Sequence, residues 1–273
     1  MVARYITPEA TPISLSLWRW LTATLMLAPF AWRPMLEDAP KLRAQWRSLL
    51  LLGLTGTGVY NAIGYSGIQY TTATNALLIQ SVTPALIPLF AFLLVRERIG
   101  IAAIAGVTVS CAGVLAIASK LDLQALLALE LNRGDLWLLL NVALWALYTV
   151  CLRWKPVGLH PSSFVLVLML IGVVQLLPLY AWDLATGGGI RASPASLLGV
   201  LYLGLFPSVL CYLMWNRAVA EIGPARAGTY LYLVPVFGIT LAMLFLGERL
   251  HLYHLIGMTL IVGGIWLASK AKR

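Results

Sequence analysis

The chain has 273 residues, of which 60% are hydrophobic and only 11% are charged, and its mean hydropathy is +0.87. A soluble domain carries about 25% charged residues, so this composition excludes an ordinary soluble protein and indicates that lipid surrounds the chain. The net charge of +9 does not indicate nucleic-acid binding, because the cations stand in short loops between apolar runs, as the positive-inside rule requires.

Nine apolar segments approach the length of about 20 residues that a helix needs to cross the hydrocarbon core. In chain order these segments are Ile13–Trp32, Leu49–Gly67, Ala73–Val95, Gly100–Ser119, Leu136–Trp154, Phe164–Trp182, Leu197–Trp215, Ala227–Gly247 and His254–Ser269. Most connections are short. One of the two longest, Lys120–Asp135, contains LDLQALLALEL, which predicts an amphipathic helix at the membrane interface.

No pattern of catalytic or metal-binding residues stands out in the sequence. Cys111, Cys151 and Cys211 each lie inside an apolar segment, and their wide spacing favours buried hydrophobic side chains over a disulfide framework or a metal site. The glycines of Gly53–Gly58 lack the Lys-Ser/Thr that completes a phosphate-binding loop, and we interpret them as the start of a membrane helix. We therefore expect no enzyme activity, no metal and no cofactor.

The two halves of the chain repeat one pattern of apolar spans. Under a shift of 151 residues, the following pairs coincide: Pro84 and Pro235, Glu97-Arg98 and Glu248-Arg249, Gly106 and Gly257, and Gly113 and Gly264. A repeat of membrane spans is typical of a transporter whose substrate site lies between two halves. We divide the chain into a first repeat at 1–119, an inter-repeat loop at 120–135 and a second repeat at 136–273.

The first repeat begins differently from the second. Only about one and a half helical turns fit before Pro8, whereas the full span Leu136–Trp154 fills the matching place in the second repeat. We therefore expect that most of a first helix is missing and that a five-plus-five design has about nine spans here. A misassigned start, a truncation and a genuine nine-helix form all stay open. A signal peptide is disfavoured, because Arg19 interrupts an apolar run that is as long as a true span.

The distribution of cations predicts the orientation in the membrane. If the loop after Ile13–Trp32 is cytoplasmic, 13 of the 19 Lys and Arg residues are cytoplasmic, five lie on the other side and Arg19 lies inside a span. This bias predicts a cytoplasmic C-terminus. Because each full repeat has an odd number of helices, the second repeat is predicted to be inverted relative to the first.

The order and repetition of several short patterns carry a family resemblance that covers nearly the whole chain. These patterns are Trp18-Arg19-Trp20, Pro84 with Glu97-Arg98, Pro235 with Gly247-Glu248-Arg249, and Gly106, Gly113, Gly257 and Gly264. In these features the chain resembles the EamA-type branch of the drug/metabolite transporter superfamily. The resemblance implies an all-α integral membrane fold in a bacterial inner membrane, with two inverted five-helix halves around a central cavity. It also implies export of amino acids or other small metabolites, with the lipid bilayer and a small-molecule substrate as partners.

Arg19 is the cation that lies clearly within a span, about two turns from its start. An unpaired arginine in lipid costs several kcal/mol, so the side chain is expected to face protein or to extend to the headgroups. One interpretation is a bidentate anchor for a substrate carboxylate. The alternative is a structural arginine bonded to backbone carbonyls. For Trp18 and Trp20, which flank it, we expect a place in the interfacial aromatic belt.

Other polar and aromatic residues recur within the spans and are candidates for the lining of a cavity between the two halves. They are Tyr60, Asn61, Tyr65, Gln80, Asn141, Trp145, Tyr148, Gln175, Tyr212, Trp215, Asn216 and Tyr230. The alternative is that buried amides among them simply tie helices together, since buried polar groups need partners.

Two repeated features are candidates for moving parts. Pro84 and Pro235 each remove a backbone hydrogen bond, and we interpret them as hinges for alternating access or as fixed kinks. The pairs Glu97-Arg98 and Glu248-Arg249 stand at span ends, as gates or as surface ion pairs. All ten acidic residues stand at span ends or in loops, so we expect that proton coupling does not run through a buried carboxylate.

Small residues spaced by four indicate close helix packing. Ala102, Gly106 and Ser110 follow this spacing, as do Thr259 and Gly263, so the two spans that contain them are candidates for scaffold or homodimer contacts. The sequence as a whole favours a secondary transporter of small polar or amphipathic metabolites, working outward by alternating access. The alternative is a non-transporting membrane scaffold or a degenerate, truncated family member.

Overall fold

The computed structural model describes residues 9–97, 100–122, 124, 132–246 and 251–270. Within these ranges the regular elements are helices, apart from one isolated antiparallel bridge between Ala10 and Ile190, which confirms the predicted all-α fold. The α-helices are α1 (Pro12–Glu37), α2 (Ala39–Ala44), α3 (Trp46–Gly56), α4 (Val59–Tyr70), α5 (Ala73–Gln80), α6 (Thr83–Val95), α7 (Ile101–Ser119), α8 (Arg133–Cys151), α9 (Pro161–Ala185), α10 (Pro194–Gly204), α11 (Cys211–Ile222), α12 (Pro224–Thr229), α13 (Leu233–Leu246) and α14 (Leu252–Ser269). Short 3₁₀ segments at Leu152–Trp154 and Tyr230–Tyr232 and a π-helix at Leu205–Leu210 join some of them.

Six helical stretches of the described residues are long and apolar enough to cross a membrane. They are Asn75–Val95, Ile101–Ser119, Arg133–Trp154, Pro161–Ala185, Pro194–Ile222 and Leu252–Ser269, and each overlaps a predicted span. The predicted span Ile13–Trp32 lies within α1, which has 26 residues. Many large apolar side chains point outward, such as Phe30 at 78% and Leu244 at 73% exposure, as expected where lipid takes the place of water.

The chain forms two compact units, each of which combines helices from the N-terminal and C-terminal halves of the sequence. The first unit contains α1–α4 with α9–α11, and the second contains α5–α8 with α12–α14. Within the first unit, α1 packs along α9, α10 packs on α1, and α3 packs on α9. The last two contacts are equivalent under the shift of 151 residues, as a pseudo-twofold axis requires.

Reciprocal contacts at the ends of α1 and α9 show that these repeat-related helices run antiparallel. Asp183, near the end of α9, accepts hydrogen bonds from Thr11 Oγ1 at 2.5 Å and Ser14 Oγ at 2.7 Å, at the start of α1. Asp38, just after α1, accepts a hydrogen bond from the backbone N–H of His160 at 2.8 Å, just before α9. Each aspartate thus lies at a helix N-terminus, where the backbone dipoles favour negative charge.

In the second unit, α7 and α14 approach each other at glycines. A Cβ atom on Gly113 would lie 2.6 Å from the Gly257 carbonyl oxygen, and one on Gly264 would lie 2.6 Å from the Gly106 carbonyl oxygen. The order of these two contacts makes the helices antiparallel, so the inverted repeat is seen here as well. The predicted close packing of Gly106 is confirmed. Gly263 is exposed, with no neighbour within 4 Å of its Cβ position.

Candidate functional site

Arg19 forms the centre of a polar cluster within the first unit. It is 7% exposed, so protein rather than lipid surrounds its guanidinium group. Its Nε donates to Ser208 Oγ at 2.7 Å, and its Nη1 donates to Asn61 Oδ1 at 2.6 Å and to Tyr65 Oη at 2.9 Å. Its Nη2 donates to the Pro207 carbonyl oxygen at 3.1 Å. The structure therefore joins three predicted cavity residues, from α1 and α4, with two residues of the π-helix.

A break between α3 and α4 determines where α4 places its two side chains in this cluster. Gly58 lies in the break with a φ of +51°, a left-handed conformation that glycine adopts without a steric penalty. Asn61 and Tyr65 follow on α4 and share one face because they are four residues apart. The predicted span Leu49–Gly67 is therefore two helices. The expectation that Gly53–Gly58 starts a membrane helix is wrong, because these residues end α3 and enter the break.

The π-helix Leu205–Leu210 positions the other two acceptors of Arg19. Pro207 has no N–H and cannot make a regular helical hydrogen bond, and its carbonyl oxygen and the Ser208 hydroxyl both accept from Arg19. Ser208 matches Thr57 under the shift of 151 residues, and Thr57 Oγ1 donates to the Leu168 carbonyl of α9 at 3.1 Å. Both repeats thus place a hydroxyl at a helix interruption. Ser208 was not predicted from the sequence. A serine directly after a proline within an apolar span is the pattern that could have indicated it.

Aromatic rings cover one side of the cluster. The Trp20 ring is fully buried, and its centroid lies 5.2 Å from that of Tyr212 in an edge-to-face arrangement. Arg19 Cζ lies 5.2 Å from the same Trp20 ring, within reach of a cation–π interaction. The expectation that Trp20 belongs to an interfacial belt is wrong, since an interfacial tryptophan is partly exposed, as Trp18 is at 38%. Tyr212 in turn donates to the Gly56 carbonyl at the end of α3.

Hydrogen-bond donors exceed acceptors around Arg19. In the described part of the chain, no carboxylate lies within ion-pair distance of its guanidinium group, and its four acceptors are neutral. Asn61 Nδ2 and Trp20 Nε1 are buried and have no hydrogen-bond partner among the described residues. A buried cation without a counter-ion is costly at low dielectric, so this arrangement has the electrostatic character of an anion site.

Gln175 lies on α9 beside the break between α3 and α4. A Cβ atom on Gly58 would lie 2.8 Å from Gln175 Oε1 and 2.8 Å from the Gly172 carbonyl oxygen. Both polar atoms of the Gln175 amide are buried without a hydrogen-bond partner in the described ranges. Gln175 is thus a second polar group at this interruption.

The other predicted cavity residues are distributed over both units. Tyr60, Trp215 and Asn216 belong to the first unit, and Gln80, Asn141, Trp145, Tyr148 and Tyr230 belong to the second. In the second unit, Asn141 and Tyr148 are buried, and the Trp145 ring lies 5.3 Å from that of Tyr148. Gln80 is exposed. A shared cavity role for these residues stays a prediction.

The second unit contains a small pocket of its own. Its volume is about 150 Å³, and it is lined by Ile222, Arg226, Thr229, Tyr230, Ile265, Ala268 and Ser269. Its hydroxyl groups have local partners: Thr229 Oγ1 donates to the Ala225 carbonyl at 3.1 Å, and Ser269 Oγ donates to the Trp266 carbonyl at 2.7 Å. Among the described residues, no three His, Cys, Asp or Glu side chains come together as metal ligands would.

The candidate hinges stand just after helix interruptions. Pro84 lies in the first turn of α6, after the residues that separate α6 from α5, and Pro235 lies near the start of α13, after the 3₁₀ segment. The hinge role stays a prediction. Glu97 follows α6, where Arg96 adopts a left-handed conformation with a φ of +51°. Arg98, Glu248 and Arg249 lie outside the described residues, so the two ion pairs also stay predictions.

Carboxylates at helix ends are more buried than their sequence positions indicated. Asp38, Asp135 and Asp183 are at most 6% exposed, although each stands near a helix end. Burial would raise the pKa of Asp38, but hydrogen bonds from the His160 N–H and from Lys41 outweigh it and hold that pKa below its ordinary value. Hydrogen bonds from the hydroxyls of Ser193 and Ser196 likewise lower the pKa of Glu9.

The sequence of this chain matches a transporter family and proteins that are named as transporters. The model of the EamA-like transporter family matches residues 1–119 and 132–270. A protein of Bacillus subtilis named as the uncharacterized transporter YyaM is 28% identical over 277 residues, which covers 100% of this chain and 89% of that protein. A protein of Streptantibioticus cattleyicolor named as a probable terminal-alkyne amino-acid exporter is 30% identical over 268 residues, covering 94% of this chain and 83% of that protein.

The fold also matches a solved crystal structure. The two chains superimpose with a TM-score of 0.77 over 98% of this chain and 90% of the other. Their sequences are 19% identical, so this likeness concerns the fold alone.

Proposed function

The chain belongs to the EamA-like transporter family, and from this premise we propose that it is a secondary carrier that exports small polar or amphipathic metabolites such as amino acids. As a transporter of this family it is an integral membrane protein that contacts the lipid bilayer and a small-molecule substrate. The relative named as an amino-acid exporter supports the direction and the class of substrate.

The observation that carries the proposal is the pair of helix interruptions in the first unit. The break at Gly58 and the π-helix Leu205–Leu210 fall at matching places in the two repeats, and residues at or just after both of them bond to Arg19. Discontinuous helices are typical of substrate sites in secondary transporters, because irregular backbone at membrane depth is tolerated where it lines a site. A passive scaffold has no need of two such interruptions around a buried cation.

We propose that solute gradients across the membrane, and not ATP hydrolysis, drive this transport. Asp135 and Asp183 are buried near helix ends and are hydrogen-bonded to neighbouring hydroxyls, Asp135 to Thr71 and Asp183 to Thr11 and Ser14. We therefore place proton coupling elsewhere than in a buried carboxylate, and expect the substrate gradient or the charge of the substrate itself to supply the energy. The proposal includes a bacterial inner-membrane location, a cytoplasmic C-terminus and alternating access. The homodimer stays a prediction.

Reconstitution tests this function directly. The purified chain is inserted into liposomes loaded with a mixed pool of amino acids and other small metabolites, and efflux is followed by mass spectrometry. Selective loss of some solutes, absent from protein-free liposomes, supports a carrier. Retention of every solute by liposomes that contain well-folded protein overturns the proposal and favours a non-transporting membrane scaffold.

A further inference from the structure

We infer that Arg19, Trp20 and Asn61 form a binding site for the carboxylate of an amphipathic monocarboxylic acid, and that the site favours such acids over zwitterionic amino acids. This inference rests on the proposed function and narrows it: among small amphipathic metabolites, it places monocarboxylic acids ahead of the amino acids named there as an example. The supporting observation is that the hydrogen-bond donors around Arg19 outnumber the acceptors that the described residues supply.

The guanidinium group retains capacity for an additional acceptor. It has five N–H donors, and four of them are used by Ser208, Asn61, Tyr65 and the Pro207 carbonyl. One Nη2 hydrogen is therefore left.

Two neighbouring side chains add further donors. Asn61 accepts from Arg19 through Oδ1, so its amide is oriented, and its buried Nδ2 has no described partner. Trp20 is fully buried, its ring lies 5.2 Å from Arg19 Cζ, and its Nε1 has no described partner. A carboxylate offers about four acceptor positions on two oxygens, which matches donors from three adjacent groups.

The charge of the cluster selects between classes of carboxylate. In the described part of the chain the guanidinium has only neutral partners, so a bound monoanion gives a site with no net charge. A zwitterionic amino acid brings its own ammonium group, and the site then keeps a net positive charge at low dielectric, which is unfavourable. No carboxylate of the described residues lies near Arg19 to receive that ammonium.

The apolar surroundings of the cluster fit an amphipathic acid. Trp20 and Tyr212 form an edge-to-face pair with ring centroids 5.2 Å apart, and the Tyr65 ring carries the hydroxyl that bonds Arg19. Aromatic side chains with a few placed polar groups are the usual lining of sites that bind small organic ligands. In the inferred complex, these rings contact the body of the solute, and the donors around Arg19 make charge-assisted hydrogen bonds to its carboxylate.

Three probes that share a phenyl ring on a two-carbon chain separate these possibilities. They are 3-phenylpropionate, which is anionic, L-phenylalanine, which is zwitterionic, and phenethylamine, which is cationic. Binding to the purified chain is measured by quenching of tryptophan fluorescence and by calorimetry. We expect 3-phenylpropionate to bind about 10- to 100-fold more tightly than L-phenylalanine, as one to two charge-assisted interactions allow, and phenethylamine to bind the least. Equal or tighter binding of L-phenylalanine overturns the inference.

Two variants test whether the preference for 3-phenylpropionate depends on the charge of Arg19. Arg19→Gln removes the charge, and Arg217→Gln is its control, since Arg217 belongs to the same unit, is exposed and pairs with Glu221. We expect Arg19→Gln to lose the preference for 3-phenylpropionate over L-phenylalanine, and Arg217→Gln to keep it. An unchanged preference in folded Arg19→Gln overturns the inference.

Asn61→Asp keeps the test decisive if Arg19→Gln does not fold. This near-isosteric change places a carboxylate beside the guanidinium, so the charge is balanced within the protein and we expect the variant to fold. We expect at least about a tenfold loss of 3-phenylpropionate affinity, and unchanged affinity contradicts the inference. Binding does not depend on transport, so efflux of other solutes without carboxylate binding overturns the site alone, and carboxylate binding without efflux overturns the proposed function alone.

Discussion

Ser110 donates a hydrogen bond to the carbonyl oxygen of Ile261 at 3.2 Å, and these two residues occupy the same position in the two sequence repeats. Two equivalent positions can meet only where the pseudo-twofold axis passes between them. The flanking glycine contacts agree, because Gly106 meets Gly264 and Gly113 meets Gly257. The repeat seen in the sequence is therefore the cause of the antiparallel contact between α7 and α14.

The close contact between α7 and α14 is predicted to require glycine at position 113. Gly113→Val places a Cβ atom 2.6 Å from the Gly257 carbonyl oxygen and 2.9 Å from Leu260 Cβ, so the two backbones must separate. Overpacking of this kind costs about 1–3 kcal/mol, and we expect a lower melting temperature of the detergent-solubilised protein. Gly263→Val is the control, because its Cβ position has no neighbour within 4 Å. Equal melting temperatures for the two variants would contradict this prediction.

Local patterns in the sequence predicted six of the nine spans as continuous membrane-length helices, the repeat and part of the site. Apolar length predicts helices, and the shift of 151 residues identifies the helices that pair. Arg19 could be recognised because a cation within an apolar span must face protein, a pocket or the headgroups. Its partners Asn61 and Tyr65 are four residues apart on one polar helix face, so they also belong to the predicted set.

The rest of the site depends on features that hydrophobic periodicity does not report. The π-helix at Leu205–Leu210 changes the backbone hydrogen-bond register without changing the composition, so Ser208 was not identified. Gly58 was assigned to a helix because it lies within the apolar segment Leu49–Gly67, and only its left-handed backbone shows the break. The burial of Trp20 and the division into two units depend on pairings between distant segments, which no local pattern encodes.

Acid should weaken the contact between α1 and α9 through Asp38. The pKa of Asp38 is held below its ordinary value in the folded protein, so the ionised group contributes stability above the unfolded pKa of about 3.9. That contribution is lost as the pH falls below about 4 and through the lowered folded pKa. We expect the melting temperature of the wild type to fall more steeply than that of Asp38→Asn over this range. Glu221→Gln controls for the removal of a carboxylate, and parallel curves for wild type and Asp38→Asn would refute the prediction.

Asp183 is expected to have a structural role and not to carry protons during transport. Asp183→Ala leaves the hydroxyls of Thr11 and Ser14 without their acceptor, which costs about 1–3 kcal/mol, and we expect a lower melting temperature. Asp183→Asn retains an acceptor oxygen, and we expect nearly wild-type stability and unchanged efflux under an imposed pH gradient. Loss of pH-driven efflux in a folded Asp183→Asn variant would show instead that this carboxylate takes part in coupling.

The break between α3 and α4 is predicted to require glycine at position 58 for two separable reasons. Gly58 and Gly223 both have positive φ, of +51° and +85°, so alanine is strained at either position. The strain costs about 1–2 kcal/mol in the left-handed region at Gly58, and about 1–3 kcal/mol at Gly223, whose ψ of 159° lies in a region that glycine alone readily adopts. A Cβ atom at Gly58 would also lie 2.8 Å from the Gly172 carbonyl oxygen and from Gln175 Oε1, whereas one at Gly223 has no neighbour within 4 Å.

Gly58→Ala should therefore lower the melting temperature through both strain and steric overlap, and Gly223→Ala through strain alone. Gly58→Ala should also slow efflux from liposomes, because a shift of α4 moves Asn61 and Tyr65 relative to Arg19, and a displacement of about 1 Å can cost about 100-fold in activity. Gly223 lies outside the Arg19 cluster, so Gly223→Ala should keep the wild-type efflux rate per folded protein molecule. Efflux that is equally slow in both variants would show that general destabilisation, and not the position of α4, limits transport.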